Sequence, residues 1–158
     1  MDWAGQPHWH LISRYSFHIG QGVVTWSLKK QYIIALSNTE SEYITLVHAT
    51  KEGLWIRTFL SEILDAPREM VELSSDNQGA IALSKDNKLH QRTKHINICH
   101  HFIHEAVEDG QIRMNYVPTD QNPTDIFTKP LSKTKFHGFV AGLGLKPWRE
   151  EEKQDISS

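Results

Sequence analysis

The chain has 158 residues, 39% of them hydrophobic, so it is long enough to bury one core and too short for two comfortable domains. Its formal net charge is -2 and its pI about 6.5, which gives no global attraction for nucleic acid or membranes, so any basic site must be local. One cysteine, Cys99, excludes an internal disulfide framework and a cysteine-cluster metal site. Without a secretory signal or a membrane-length apolar run, we expect an intracellular protein, cytoplasmic or nuclear.

The first predicted element is a β-hairpin. Residues 16–19 and 23–27 are short runs of β-branched and aromatic residues, and a glycine-containing turn separates them. Three tryptophans are expected to belong to the core: Trp3, Trp26 in the second run, and Trp55 further along.

A long helix follows. Ser37 and, three residues later, Glu40 form a capping-box pattern, which predicts a helix start. Apolar residues then recur mostly at three- and four-residue steps, so we expect a helix to about Leu64 with one face buried, closed by Ala66-Pro67.

The second half of the chain alternates strands and helices. Residues 71–75 alternate as a strand does and lead into Asp76, after which a helix begins near Gly79. A helix over residues 96–107, a strand over 112–117 and a short helix with Asp125 in its first turn are predicted next. A last helix spans about 132–145. We expect one domain over residues 1–145 and a polar, disordered tail over 146–158.

One segment of the chain, residues 85–95, is basic, with four positive charges against one negative. In an arbitrary protein such a loop is more often a solvated surface than a binding site. It is nevertheless the predicted place for phosphate contacts, which supply most non-specific affinity for nucleic acid. The candidate substrate-binding residues are Lys85, Lys88, Arg92 and Lys94, together with Asn77 beside Asp76.

Three carboxylates lie at the ends of predicted elements: Glu42, Asp76 and Asp125. Each alone is explained by helix capping or by the helix dipole. Residues beyond strand ends face one edge of an open sheet, however, and acids gathered there could hold two hard divalent cations. Two such ions roughly 4 Å apart activate a water for phosphodiester hydrolysis. The pattern favours a metal-dependent nuclease.

Short motifs in a fixed order run from Asp2 to about Leu145. They are Asp2-Trp3-Ala4-Gly5, Trp26-Ser27, Lys29-Lys30-Gln31, Ala35-Leu36-Ser37, Thr39-Glu40, Glu42-Tyr43, Leu54-Trp55, Asp76-Asn77-Gln78, Arg92-Thr93-Lys94-His95-Ile96, His101-Phe102-Ile103, Tyr116-Val117-Pro118-Thr119 and Asp125-Ile126-Phe127-Thr128-Lys129-Pro130-Leu131. In this order and spacing, the chain resembles the ribonuclease H domain that ends the polyprotein of copia-type retrotransposons.

This resemblance implies an α/β (α+β) fold, with a mixed five-stranded sheet flanked by helices. It also implies a nuclease that cuts RNA in RNA–DNA hybrids, with Mg²⁺ as cofactor and Mn²⁺ as a substitute. The reverse transcriptase portion of the same polyprotein would be a neighbour. Glu42, Asp76 and Asp125 fall on three of the family's four metal-binding carboxylates.

The fourth carboxylate is the point of departure. In the family the first strand ends Asp-x-Asp-Trp-Ala-Gly, and the earlier aspartate is catalytic. Here Met1 occupies the position between the two aspartates of that motif, and Asp2 is the second of them. We therefore expect the chain to lack the earlier aspartate and most of the first strand, which is central in the sheet. Asp2 takes over only if the strand slips by two residues, which keeps the same face inward. As written, the chain should be a poor nuclease.

Two other interpretations remain open. The first is a catalytically silent relic of the same fold that binds nucleic acid or protein. The second is a zinc-dependent helical module, because His100 and His104 are four residues apart on a helix, with His95 and His101 nearby. No acidic or cysteine ligand is suitably spaced, so packing is favoured for these histidines. The sequence does not set the oligomeric state.

Overall fold

A computed structural model of the chain describes residues 12–31, 38–85, 94–127 and 129–146, without the side chains of residues 94–97. Its strands are β1 (Ile12–Ile19), β2 (Gly22–Lys30), β3 (Val71–Ser75) and β4 (Ile112–Tyr116). Its helices are α1 (Asn38–Leu64), α2 (Gln78–Lys85), α3 (Lys94–Glu108) and α4 (Lys133–Gly142), with 3₁₀ helices over Thr119–Gln121 and Pro123–Phe127. The predicted α/β class is confirmed.

The sheet differs from the one predicted. Among the described residues, β1 pairs with β2 and β3 pairs with β4, giving two two-stranded sheets instead of one. The predicted single, five-stranded sheet depends on a central strand that precedes β1. Residues 1–11, where the remainder of that strand is expected, lie outside the described residues.

The β3–β4 pair forms the floor of a helix-covered core. The two strands are parallel, with Val71 opposite Ile112 and Ser75 opposite Tyr116. Leu73 and Met114 are buried on one face, which α1, α2 and α3 cover. Helices α2 and α3 connect β3 to β4 in the chain. Two parallel strands need a crossover connection of this kind, because both run in the same direction.

Helix α1 has the predicted bounds but not the predicted single buried face. Ile44, Thr45, Leu46 and Val47 are consecutive and so point to all sides of the helix, yet all are buried. The C-terminal half of α1 is more exposed, with Trp55 stacked on Phe59 at a centroid distance of 5.2 Å. Periodicity identifies a helix face but not how far its packing partners extend along the axis.

The expectation that Trp26 and Trp55 belong to the core is therefore wrong. Their exposed fractions are 62% and 59%. Trp55 lies on the half of α1 that passes beyond its packing partners, and Trp26 lies on the outer face of a two-stranded hairpin.

The chain divides into two compact units. The first, Met1–Tyr15 with Ser27–Asn122, contains the base of the hairpin, α1, α2, α3, β3 and β4. The second, Ser16–Trp26 with Pro123–Ser158, contains the hairpin tip and α4.

Within the second unit the hairpin tip packs on the end of α4. Val23 N–H donates to the Leu143 carbonyl at 3.1 Å, and Leu143 is buried. Gly144 has a φ of +70°, and a Cβ at this position would overlap the Gln21 carbonyl oxygen. Glycine is required there both by its backbone conformation and by this close approach.

Several predictions fall outside the described residues. These include the Ser37 cap, the position of Trp3 and the tail from residue 147. No helix in the described part of the chain is long and apolar enough to cross a membrane.

Candidate active site

Asp76 lies directly after β3, at the edge of the parallel pair, as predicted. Val117 N–H donates to the Ser75 carbonyl at 3.0 Å, so the pairing of the strands continues to this edge. The carboxyl ends of β3 and β4 therefore meet beside Asp76, whose side chain is half-buried.

Asn77 connects Asp76 to α2 as an N-cap. Its Oδ1 accepts from Ala80 N–H at 2.9 Å, and its own N–H donates to Ser75 Oγ at 3.2 Å. Such a cap contributes about 1 kcal/mol to helix stability. It also fixes the backbone on the C-terminal side of Asp76. The predicted contact between Asn77 and substrate stays a prediction.

The helix that carries Glu42 meets this edge. A Cβ on Gly79 would lie 3.1 Å from Thr39 Cγ2 and 3.3 Å from Thr39 Oγ1. The first turn of α1 thus passes close to the start of α2, and a side chain at Gly79 would require the Thr39 side chain to shift by a few tenths of an ångström. Glu42, half-buried in the first turns of α1, and Asp76 are carried by element ends that touch.

Asp125 belongs to the second unit and lies in the predicted short helix, which is a 3₁₀ helix. Its side chain is 5% exposed, and Oδ2 accepts from Lys129 Nζ at 2.8 Å. Lys129 N–H also donates to the Asp125 carbonyl at 3.0 Å. The buried carboxylate therefore already holds a monovalent cation, the ammonium of Lys129.

Sequence reasoning missed this role of Lys129, although a signal was present. Asp and Lys four residues apart is the spacing at which side chains meet across a helical turn. Lys129 belongs to the motif from Asp125 to Leu131, but no contact with Asp125 was predicted for it.

The three carboxylates are thus found at three element ends, and their convergence stays a prediction. Among the residues that the structure describes, no group of three or more His, Cys, Asp or Glu side chains is arranged to hold a metal ion. Of the other predicted site residues, Lys85 is exposed at the end of α2. Asp2, Lys88 and Arg92 lie outside the described residues, as does the side chain of Lys94.

His100 and His104, the pair four residues apart that was considered for zinc, contact neighbouring side chains. His100 is buried, and its ring stacks against those of Tyr43 and His104 at centroid distances of 6.3 and 6.0 Å. His104 Nδ1 lies 3.4 Å from Glu108 Oε2.

Tyr43, next to Glu42, is not suited to acid–base chemistry. Burial raises the pKa of its hydroxyl well above the usual range, with a smaller contribution from Cys99. The phenol therefore stays neutral at physiological pH.

Comparison with known proteins identifies relatives over most of the chain. It is 39% identical over 122 residues to the retrovirus-related Pol polyprotein from transposon TNT 1-94 of Nicotiana tabacum, a match that covers 77% of the chain and 9% of that relative. The corresponding polyproteins from transposons RE1 and RE2 of Arabidopsis thaliana match over 145 residues at 34% and 33% identity, covering 91% of the chain and 10% of each relative.

The chain is homologous to a segment of plant retrotransposon Pol polyproteins. It spans about a tenth of the length of these relatives. Neither a protein-family model nor a solved structure matches it. The retrotransposon origin expected from the motifs is confirmed at this level.

Proposed function

We propose that the chain is a ribonuclease H-like region of a copia-type retrotransposon polyprotein, which hydrolyses the RNA strand of RNA–DNA hybrids. The observation that carries the proposal is the contact between Thr39 and Gly79, which brings the element ends bearing Glu42 and Asp76 together. They meet at the carboxyl ends of two parallel strands, where open α/β sheets bind their ligands. The relatives, named as retrovirus-related Pol polyproteins, are consistent with this activity.

The donor set fits a hard divalent cation. Glu42, Asp76 and Asp125 offer carboxylate oxygens, which are the ligands that Mg²⁺ and Mn²⁺ prefer. The Lys129 ammonium 2.8 Å from Asp125 indicates that this carboxylate attracts a cation even where it is buried. A divalent ion would take the place of that ammonium.

When bound, the cations would lower the pKa of the attacking water and stabilise the leaving oxygen. Glu42 and Asp76 would hold them from two elements whose spacing is set by Thr39 and Gly79, and Asp125 would supply a third negative charge. The Asn77 cap would keep Asp76 oriented. Contacts to the 2′-hydroxyl would distinguish RNA from DNA, and the cations of residues 85–94 would contact phosphates.

A second candidate is a binding module that retains the fold without catalysis. The Asp125–Lys129 ion pair favours it, because a carboxylate neutralised by lysine binds a metal ion less well. In this case the chain would bind hybrids but leave them intact. Both candidates place the chain beside a reverse transcriptase within a polyprotein.

Cleavage of a labelled RNA–DNA hybrid separates the two candidates. We expect RNA-strand cleavage that is weak with Mg²⁺ and stronger with Mn²⁺, and that falls about a hundredfold or more in Asp76→Asn and in Glu42→Gln. Glu62→Gln, an exposed carboxylate on the same helix as Glu42, is the matched control and should cleave as the parent does. Cleavage that is equal in Asp76→Asn and the parent would refute the nuclease proposal, and binding without cleavage would favour the module.

A further inference from the structure

The first unit contains a groove of about 440 Å³, and neither Glu42 nor Asp76 is among the residues that line it. One wall is the base of the hairpin, where Ser13 and Tyr15 of β1 and Ser27 and Lys29 of β2 line the groove. Side chains two residues apart on a strand share a face. These four positions therefore form a single polar surface.

The opposite wall comes from two helices. Ile44, Val47, His48 and Lys51 line it at spacings of three and four residues, which is one face of α1. Cys99 of α3 completes it. Ile44 and Val47 supply the apolar part of the lining, and most of the other lining residues are polar or charged.

The walls are held in place by a buried hydrogen-bond cluster. Gln31 Nε2 donates to Ser13 Oγ at 2.8 Å and to the Ser41 carbonyl at 2.9 Å, while Ser41 Oγ donates to Gln31 Oε1 at 3.1 Å. Thr45 Oγ1 donates to Ser13 Oγ at 3.1 Å. All four side chains are buried. The hairpin base is therefore bound to α1, and the groove is preformed.

Positive charge is concentrated at this groove. Lys29, Lys30 and Lys51 line it, and no acidic residue lines it among those that the structure describes. Lys51 Nζ lies 5.7 Å from the ring centroid of Phe102, a cation–π contact that positions the ammonium. The whole chain carries a formal charge of -2, so this is a local basic site of the kind that the composition requires.

The groove lies on the side of α1 opposite to Glu42. Lys51 follows Glu42 by nine residues, which is about two and a half turns at 3.6 residues per turn, so the two side chains leave opposite sides of α1. A ligand in the groove would not compete for Glu42.

We infer that this groove binds backbone phosphates of a nucleic-acid strand, with Lys29, Lys30 and Lys51 as the phosphate-contacting cations. The inference rests on the proposed function only in taking a nucleic acid, and not an acidic peptide, as the ligand. Hydroxyls of Tyr15 and Ser27 supply further donors to phosphate oxygens. Such a site would hold a hybrid at a second place, apart from the point of cleavage.

Cys99 makes the groove directly observable, because it is the single cysteine of the chain and lies in the wall. Burial raises the pKa of its thiol, an effect that Lys51 partly offsets, so alkylation is best followed at mildly alkaline pH. The experiment measures the rate of alkylation by mass spectrometry in EDTA, where a hybrid is not cleaved. A hybrid duplex and a single-stranded DNA of the same length are tested separately.

We expect nucleic acid to slow alkylation of Cys99. The double variant Lys29→Gln/Lys30→Gln should need about tenfold more nucleic acid for the same protection, and the slope of log affinity against log salt should fall by about two. This variant keeps Lys51 and so avoids a direct change at the thiol. The control Lys133→Gln/Lys135→Gln removes the same charge from exposed positions of α4 and should behave as the parent does.

Protection by either nucleic acid supports the phosphate site and shows which form it takes. Absence of protection by both, or protection unchanged in Lys29→Gln/Lys30→Gln, would overturn the inference. Equal protection by polyglutamate at matched charge concentration would overturn the assignment to nucleic acid. Because the assay contains no divalent cation, a failure of the proposed cleavage activity leaves its result unaffected.

Discussion

Lys129 shows how one residue sets the state of a candidate metal ligand. Its ammonium lies 2.8 Å from Asp125 Oδ2, and the Lys129 side chain is 44% exposed, while that of Asp125 is buried. A partly exposed pair of this kind contributes up to about 1 kcal/mol, which is small enough for a divalent cation to displace the lysine.

We therefore predict that Lys129→Met increases the affinity for Mg²⁺ by up to about fivefold, because the ion no longer competes with an ammonium. Isothermal titration calorimetry measures the change, with Lys133→Met as the control for loss of a nearby lysine. Adding Asp125→Asn should abolish the increase. An affinity that is unchanged or lower in Lys129→Met would mean that Asp125 does not bind the ion.

At the scale of elements, the hairpin and α1 are joined through Gln31. Its side chain hydrogen-bonds buried groups on β1 and on α1, so removing it takes one donor from Ser13 Oγ and from the Ser41 carbonyl and removes the acceptor of the Ser41 hydroxyl. An unsatisfied buried group costs about 1–3 kcal/mol. The loss should exceed that of an ordinary surface substitution.

Gln31→Leu should accordingly lower the free energy of unfolding by about 1–3 kcal/mol, measured by urea denaturation. Gln121→Leu, at an exposed position of the first unit, is the control and should change it by less than about 0.5 kcal/mol. Equal stabilities of the two variants would show that the cluster around Gln31 does not anchor the hairpin.

The elements themselves were largely predictable from sequence. Alternation located β3 and β4, glycines located the hairpin turn, and the Asn122-Pro123 pair located the helix bearing Asp125. These signals are local. Exposure of Trp55 and the separation of the strands into two sheets were not predictable, because both depend on which elements pack together over long sequence distances.

The candidate site was also predictable only in part, because local signals identify single residues but not which distant elements pack together. Residue type and position at element ends indicated Glu42, Asp76 and Asp125. The groove was missed because Lys29 and Lys51 lie far apart in sequence, and only the packing of β2 near α1 brings them to one cavity. The basic segment 85–95, in contrast, could be recognised from the sequence because its positive charges lie within eleven residues of one another.

At the scale of the whole molecule, α1 separates two candidate surfaces. Lys51 leaves α1 on the side that lines the basic groove, and Glu42, nine residues earlier, leaves the opposite side. A chain with a formal charge of -2 can bind a polyanion only through such local concentrations of positive charge.

The central claim is that Glu42, Asp76 and Asp125 converge on a divalent cation. Paramagnetic broadening of backbone amide signals by Mn²⁺ in solution tests it most directly, because it reports proximity to the ion without requiring activity. We predict that substoichiometric Mn²⁺ broadens the amides of all three residues together and that Asp76→Asn removes the effect at all three. Broadening confined to one of them, or retained in Asp76→Asn, would contradict the shared metal site.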